Sequence, residues 1–294
     1  MKYCMIVNPH AGKKQGLAVA EEALKELKKH DIDITILISK TPGESVTLAS
    51  NLKIEDFDGI LAVGGDGTLF EIINGLLKNR QDIKIPVGQI PVGTGNSFIK
   101  DLGISNLEDS IKAIISRQTR AVDLGEFSYS QGKYFFINLL GTGFVSNVAY
   151  RARKYKKLGS LSYIFGVLEE LTVLKSTKIE INIDGTLIKR EAVFTEICNS
   201  RYTGGDMLMA PDAKIDDGYL DIIVLKKVSR LKILSLFPLL FKGKHVNDDV
   251  IEVFTGKNIS LKSDKKLALT PDGETFGETP IDIKIHPKKI KMFC

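Results

Sequence analysis

The 294-residue sequence lacks the features that mark several large classes of protein. It contains no run of about 18 apolar residues, so we expect no membrane-spanning helix. Its three cysteines lie far apart and form no C-x-x-C pair, which excludes a cysteine metal motif and suggests free thiols in a reducing, cytoplasmic setting. The four histidines show no ligand spacing either, and we expect all four at the surface or in loops.

Two common nucleotide-binding signatures are also missing. The chain has no G-x-x-x-x-G-K-[ST] loop and no G-x-G-x-x-G fingerprint. Charge of one sign is not abundant, because 41 Lys and Arg stand against 36 Asp and Glu, a net charge of +5. This mild basic excess suits anionic ligands or an anionic membrane surface, and it predicts no nucleic-acid partner.

The first 123 residues alternate short apolar segments with segments of helical spacing. We predict strands over 2–8, 33–39, 59–64 and 86–92, and helices over 17–29, 44–52, 69–78 and 107–116. Such alternation is typical of a doubly wound parallel sheet covered by helices on both faces. We therefore expect an α/β nucleotide-binding domain over residues 1–123.

Strand-like segments dominate residues 124–294. We predict strands over 134–141, 178–185, 191–199, 219–227, 258–263 and 281–286, interrupted by helical stretches near 145–175 and 229–241. Several strands alternate with period two and are separated by turn residues, which favours an antiparallel β-sandwich. This second domain would bind the substrate, and its last strand is a candidate to return to the first domain.

Glycine surrounds an aspartate where the strand 59–64 gives way to a helical pattern. The segment reads Gly64, Gly65, Asp66, Gly67 and Thr68, and helical spacing follows from Leu69. A turn with so little bulk lets the backbone approach a ligand, and a helix N-terminus favours an anion such as phosphate. A tight connection without any ligand is the alternative.

Two more loops follow predicted strands on the same edge of the sheet. The first, 8–14, contains Asn8, Gly12 and Lys13; the second, 91–98, contains Thr94 and Asn96. Ligands of open α/β sheets bind at the carboxyl ends of the strands, so both loops suit a nucleotide. The alternatives are solvated lysines in the first loop and an ordinary helix start, capped by Asn96, in the second.

Three acidic sites have both a functional and a structural interpretation. Asp123 at the domain junction suits Mg²⁺ beside a polyphosphate, or a turn cap. The turn 210–219 offers oxygen ligands for a hard cation, or a metal-free Asx turn. The segment 270–274 contains Asp-Gly, a hairpin signal, and its carboxylates could also take a proton from a hydroxyl acceptor.

Together these motifs resemble a lipid kinase family of the NAD kinase-like superfamily. The family contains bacterial diacylglycerol and phosphatidylglycerol kinases and eukaryotic sphingosine and ceramide kinases. The resemblance is carried by NPHAGK, VGGDGTLFEIINGL, PVGTGNSF, VDLG, GGDMLMAPDAKIDDGYLD and TPDGE, in the family's order over residues 8–274. It implies ATP- and Mg²⁺-dependent phosphorylation of the hydroxyl of a membrane lipid such as diacylglycerol, with ATP in the cleft between the domains.

The resemblance also implies roles for individual residues. The nucleotide-binding positions match Asn8, Thr41, residues 64–70 and Thr94, with Asp66 at the phosphates. The catalytic magnesium network matches Asp123, and a structural magnesium site matches the carbonyls of Lys214 and Tyr219 with the carboxylate of Asp217. The proton acceptor matches Glu274, and Asp272 and Asp66 are its rivals. Ser97 departs from the pattern, because many bacterial diacylglycerol kinases carry aspartate there.

Two alternative functions remain open at this point: an NAD kinase-like nucleotide kinase and a catalytically inactive nucleotide-binding regulator. The basic segment 151–157 predicts peripheral, salt-sensitive attachment to an anionic membrane. Sphingosine kinases carry acidic residues where Asn147 and Ala149 stand here, so the resemblance favours a neutral glycerolipid over a sphingoid base. The sequence leaves the identity of the lipid, the choice of base, the use of ATP over another nucleotide and a homodimeric state open.

Overall fold

The computed structural model describes residues 1–93, 95–158 and 161–294, and these residues form two compact units. Unit 1 comprises Met1–Val122 and Lys288–Cys294, and unit 2 comprises Asp123–Pro287. The last seven residues of the chain therefore belong to the unit formed by its beginning.

The elements are numbered along the chain. The strands are β1 (Lys2–Val7), β2 (Asp33–Ile38), β3 (Gly59–Gly64), β4 (Val87–Pro91), β5 (Thr119–Tyr129), β6 (Gly132–Phe136), β7 (Leu139–Gly143), β8 (Thr177–Ile183), β9 (Thr186–Cys198), β10 (Tyr202–Thr203), β11 (Met207–Leu208), β12 (Leu220–Lys226), β13 (Ile251–Gly256), β14 (Asn258–Ser263), β15 (Leu269–Pro271) and β16 (Ile281–Phe293). The α-helices are α1 (Ala11–Lys14), α2 (Gly16–Lys28), α3 (Glu44–Ser50), α4 (Asp66–Leu77), α5 (Leu107–Ser116), α6 (Phe144–Ala152), α7 (Leu161–Thr172) and α8 (Arg230–Leu240). Short 3₁₀ helices occupy Ile54–Asp56, Phe98–Leu102, Arg153–Leu158 and Lys244–Asn247.

Unit 1 is built on a parallel sheet, as the sequence predicts. Strand β1 pairs in parallel with β2 and β3, β3 pairs with β4, and Met292 at the end of β16 pairs with Val87 of β4. Every residue of β3 is buried, because a parallel strand covered on both faces carries a continuous apolar run. The loops after β1, β2, β3 and β4 leave this sheet from the same edge.

The start of α4 differs from the sequence prediction. The helix begins at Asp66, three residues earlier than expected from the spacing of its apolar residues. Gly65 is the extended N-cap residue, and its carbonyl accepts the N–H groups of Thr68 (3.0 Å) and Leu69 (3.2 Å). Asp66, Gly67 and Thr68 are thus the first helical turn, where apolar periodicity carries no signal because the cap decides the boundary.

Unit 2 contains the predicted antiparallel strands, in the order β13-β12-β9-β8-β14-β16. Strand β9 also pairs with β7, and β7 pairs with β15. The expected strand 134–141 is wrong as a single element, because β6 ends at Phe136 and β7 starts at Leu139. The gap matters for function, since backbone groups of residues 137–139 bind a buried carboxylate described below.

The helical stretch expected over 145–175 consists of α6, a 3₁₀ helix and α7. Buried apolar residues of α6, α7 and α8 pack against β7, β9 and β12 and form one core of unit 2. Among the described residues, no helix is long and apolar enough to cross a membrane.

The expectation that all four histidines lie at the surface or in loops is wrong for His245, which is buried in the 3₁₀ helix Lys244–Asn247. His286 lies on β16 beside Glu126, and its side chain is 26% exposed.

Candidate functional site

The loop after β1 is tied to the first turn of α4. The Asn8 side chain donates from Nδ2 to Thr68 Oγ1 (3.1 Å), and its Oδ1 accepts the N–H of His10 (3.0 Å). One amide group therefore fixes its own loop and links it to the glycine segment. Of the predicted nucleotide residues, the structure brings Asn8 and Thr68 into direct contact.

Backbone segments of the loops after β1 and β4 pass so close that a side chain would not fit between them. A Cβ atom on Gly12 would lie 2.7 Å from Val92 Cγ1 and 2.9 Å from the Gly93 nitrogen. Gly12 has φ +54° and Lys13 has φ +61°, a left-handed conformation that is unusual for lysine. Glycine at position 12 is thus required by both its conformation and its contact.

Asp66 is a buried carboxylate that holds the loop after β4. Its Oδ2 accepts the N–H of Ser97 (2.8 Å) and its Oδ1 that of Phe98 (3.4 Å), while its own N–H donates to the Gly95 carbonyl (3.1 Å). Burial raises the pKa of Asp66 to about 6, against the lowering effect of these hydrogen bonds and of the Ser97 hydroxyl. The carboxylate is therefore ionised at neutral pH and fastened to backbone.

The other predicted nucleotide residues lie on the same loops. Asn96 Nδ2 donates to the Gly93 carbonyl (2.9 Å), and its Oδ1 accepts Gln89 Nε2 (3.2 Å). After β2, the Thr41 N–H donates to the Glu44 carboxylate (3.0 Å). Thr94 lies outside the described residues. These contacts order the loops, and the binding roles of their residues stay predictions.

In unit 2, Asp272 anchors the turn that follows β15. Its carboxylate accepts three backbone N–H groups, from Ile137 (3.0 Å), Asn138 (2.8 Å) and Leu139 (3.1 Å). The residue is 5% exposed. These three hydrogen bonds fix the turn to the gap between β6 and β7.

Glu274 follows at the end of this turn. Its N–H donates to the Pro271 carbonyl (2.8 Å), and the two central residues have positive φ, +48° for Asp272 and +83° for Gly273. The conformation is that of a type I′ turn, so the Asp-Gly hairpin signal is correct. The Glu274 carboxylate is 46% exposed and accepts Arg153 Nη2 at 3.0 Å. Of the two rivals in this turn, Glu274 alone presents its carboxylate to solvent.

Asp123 and the predicted magnesium turn meet directly. Asp123 Oδ2 accepts the Gly218 N–H (2.6 Å), and its own N–H donates to the Ile215 carbonyl (2.7 Å). Asp217 lies in this turn and accepts the Tyr219 N–H (3.0 Å). Asp123 is fully buried, and its two hydrogen bonds anchor this turn. Its role in binding a metal stays a prediction.

The residues of this turn suit a hard cation by their chemistry. Lys214 and Tyr219 would offer carbonyl oxygens and Asp217 a carboxylate, the oxygen ligands that Mg²⁺ prefers. Burial, and after it the negative charges of Asp217 and Asp212, raise the pKa of Asp221 to about 6, while the positive charge of Lys214 lowers it. Within the described ranges, no three His, Cys, Asp or Glu side chains form a metal-holding group.

An apolar pocket opens among α6, α7, α8 and the strands β7, β9 and β12. It contains about 860 Å³ of space, its open mouth included. Phe144, Val167 and Leu236 line it from the helices, and Thr270 and Gly273 line it beside the Asp272 turn. Glu196 of β9 also lines it, a residue that the sequence analysis missed. The signal was a single carboxylate inside the apolar run Ala-Val-Phe-Thr-Glu-Ile-Cys.

Two models of known protein families match this chain. Residues 2–127 match the diacylglycerol kinase catalytic domain, and residues 138–294 match the YegS C-terminal NAD kinase beta sandwich-like domain. The two matches define a lipid kinase. The chain belongs to the diacylglycerol kinase family.

Curated relatives and solved structures agree with this assignment. A diacylglycerol kinase of Bacillus subtilis is 31% identical over 283 residues, 94% of this chain and 90% of the relative. One of Staphylococcus aureus strain MRSA252 is 29% identical over 293 residues, 99% and 91% of the two chains. The crystal structure of a diacylglycerol kinase from Bacillus anthracis aligns with a TM-score of 0.76 at 25% identity, covering 99% of this chain and 96% of that one. The lipid kinase assignment thus replaces the alternatives of an NAD kinase and an inactive regulator.

Proposed function

We propose that this lipid kinase transfers the terminal phosphoryl group of ATP to the hydroxyl of a neutral glycerolipid of the diacylglycerol type, in a Mg²⁺-dependent reaction. The observation that carries the proposal is the apolar pocket of unit 2, which is lined by Thr270 of β15 and by Gly273 of the turn that ends at Glu274. The names of the relatives support the same substrate class.

The loops of unit 1 support ATP as the phosphoryl donor. Asn8, Gly12, Gly64, Gly65 and Thr68 stand at the carboxyl edge of a parallel sheet, where ligands of such sheets bind. The N-terminus of α4, with its positive dipole end, favours phosphate. Asp66 keeps the loop 95–98 against this helix end, so its role in the proposal is to position the phosphate-binding backbone.

Glu274 is the proposed proton acceptor. Its carboxylate is accessible, and its backbone is fixed by the turn that Asp272 anchors. Asp272 is then a positioning residue, because its oxygens are engaged by backbone N–H groups. Phosphoryl transfer depends chiefly on positioning and charge stabilisation. When bound, Mg²⁺ would supply the charge neutralisation, and the turn that contains Lys214, Asp217 and Tyr219 would hold a structural ion.

Membrane attachment through the segment 151–157 stays a prediction. The ion pairs of this segment weaken the argument from its charge. Arg151 and Lys154 form ion pairs with Glu169, and Arg153 pairs with Glu274. These pairs reduce the charge available to anionic lipids. Exposed apolar side chains on α7, among them Phe165 and Leu168, support contact with a membrane surface by insertion.

The proposal is tested by presenting labelled ATP with several acceptors. Mixed detergent micelles contain a diacylglycerol, a sphingoid base or no lipid, and NAD is supplied in a separate reaction. We expect label in a lipid-extractable product only with the diacylglycerol, and no transfer when Mg²⁺ is chelated. Phosphorylation of NAD, or equal labelling of both lipids, would contradict the proposal.

A further inference from the structure

Glu196 lies in a row of residues that crosses three strands of unit 2. It stands opposite Gly141 of β7, and Gly141 stands opposite Thr270 of β15. A Cβ atom on Gly141 would lie 3.0 Å from Glu196 Oε1 and 3.1 Å from Thr270 Oγ1. Because Gly141 has no side chain, the Glu196 carboxyl group has room beside it, next to Thr270 of β15.

One oxygen of the buried Glu196 carboxyl group has no hydrogen-bond partner among the described residues. The residue is 3% exposed, and the oxygen concerned is Oε2. Burial alone raises the pKa of Glu196 to about 8. An ionised carboxylate is expensive in an apolar site, so the group stays protonated at neutral pH. A neutral carboxylic acid has an O–H donor.

The rest of the pocket is uncharged. The described residues that line it include no lysine, arginine or aspartate. His245 also lines it, and burial lowers the pKa of this histidine. Its Nε2 lies 3.1 Å from the Met209 carbonyl, which can only accept, so Nε2 carries a proton. Because its pKa is lowered, the ring carries no second proton at pH 7, and its Nδ1 has no hydrogen-bond partner among the described residues. The pocket therefore suits an apolar ligand, and a hydrogen-bond acceptor on that ligand would satisfy the Glu196 O–H.

We propose that the neutral carboxylic acid of Glu196 donates a hydrogen bond to an ester carbonyl of the bound lipid and so selects ester-linked over ether-linked glycerolipids. This inference rests on the proposed function and names a specificity-determining residue for it. An ester carbonyl is a strong acceptor, and an ether-linked chain at the same place lacks it. Binding the ether would leave the buried donor unsatisfied, which selects against it.

The experiment compares a dialkanoyl glycerol with its dialkyl ether analogue of equal chain length, in the same micelles. We expect the wild type to prefer the ester by about tenfold in kcat/KM, the scale of one buried hydrogen bond. Glu196→Leu should lose about this preference, because the donor that rewards the ester and penalises the ether is gone. Glu196→Gln keeps a donor of similar size and should retain most of the preference. Glu191→Gln, an exposed change on the same strand, is the matched control.

Binding without ATP gives a second measurement that does not depend on catalysis. The ester lipid should bind more tightly than the ether, and it should shift an infrared carboxylic-acid C=O band that is missing in Glu196→Gln. Equal turnover and equal binding of both lipids by the wild type would overturn the role of Glu196 while leaving the lipid kinase intact. Failure to phosphorylate either lipid, with preferential ester binding retained, would overturn the proposed function alone. If a sphingoid base binds to the wild type and not to Glu196→Gln, the partner of Glu196 is an amine, and the inference is overturned.

Discussion

The two units place a buried carboxyl group in opposite environments. Asp66 of unit 1 is surrounded by donors, and its oxygens accept the backbone N–H groups of Ser97 and Phe98. Glu196 of unit 2 faces apolar side chains, and its Oε2 has no partner in the part of the chain that is described. Burial raises both pKa values, to about 6 for Asp66 and about 8 for Glu196. At pH 7 the first group is charged and the second is neutral.

This difference shows how each unit suits its ligand. Unit 1 orders polar loops around backbone groups, which suits a charged nucleotide. Unit 2 has an apolar pocket lined by Gly273, next in sequence to the exposed carboxylate of Glu274, which suits a lipid whose hydroxyl is the reacting group. The predictions below test this division.

The largest expected effect is on catalysis in unit 2. Glu274→Gln should lower the rate of transfer by about 10²–10³-fold, about 2.7–4 kcal/mol, because a preorganised charged group is lost at the reacting atom. The measurement is the steady-state rate with saturating diacylglycerol and ATP. Glu278→Gln removes a nearby carboxylate that pairs with Lys266, and it should retain normal turnover. Near-normal turnover in Glu274→Gln would exclude Glu274 as the base.

Mg²⁺ binding to the turn 214–219 should raise the free energy of unfolding by an amount of similar size. If Asp217 binds the cation, Mg²⁺ at 100 times its dissociation constant stabilises the native state by about 2.7 kcal/mol. Asp217→Ala should lose this gain, as measured by thermal unfolding with and without Mg²⁺. An Asp82→Ala variant, changed at an exposed ion pair of unit 1, should keep it. A melting temperature of the wild type that does not respond to Mg²⁺ would remove the site.

Asp66→Asn should break the attachment of the loop after β4. An amide is uncharged and has one oxygen, so the N–H groups of Ser97 and Phe98 both lose a charged acceptor and one of them is left without any acceptor, at about 2 kcal/mol. We expect lower stability and a much reduced rate of phosphoryl transfer, with a raised KM for ATP. Asp82→Asn is the control within unit 1. Unchanged KM and stability would show that Asp66 does not hold the loop.

A pH dependence of stability separates the two carboxyl groups. The folded pKa of Glu196, about 8, lies above its ordinary value of 4.5, so the unfolded chain releases this proton first as pH rises. The stability due to this group is fully present below pH 4.5 and is lost as pH rises to about 8. The wild type should therefore lose about 1.4 kcal/mol more per pH unit than Glu196→Gln between pH 5 and 7. If the unfolding free energies of the wild type and of Glu196→Gln change with pH in parallel, Glu196 is ionised in the folded protein.

The sequence predicted the architecture well because apolar periodicity reports burial. The parallel strands of unit 1 and the antiparallel strands of unit 2 follow from it. Periodicity could not place the start of α4, since the cap at Gly65 decides it. It also joined β6 and β7, because the backbone contacts of Asp272 that separate them connect residues over 130 positions apart.

The candidate site shows the same limit. The glycine loops and the Asp-Gly-Glu turn are local motifs and were visible in the sequence. The environment of Glu196 depends on three strands, three helices and the missing side chain of Gly141, so only the structure shows that its Oε2 lacks a partner among the described residues. The ion pairs of Arg151 and Lys154 were likewise hidden, because Glu169 lies 18 and 15 residues away.

The central claim is that unit 1 binds a nucleotide whose phosphoryl group is transferred to a neutral lipid held by unit 2. The most direct measurement is the fate of the label from terminally labelled ATP when a diacylglycerol in micelles and NAD compete in one reaction. We predict that the label enters the lipid extract, depends on Mg²⁺ and disappears with Glu274→Gln. Label in water-soluble NADP, or label in the lipid that persists in Glu274→Gln, would contradict the account.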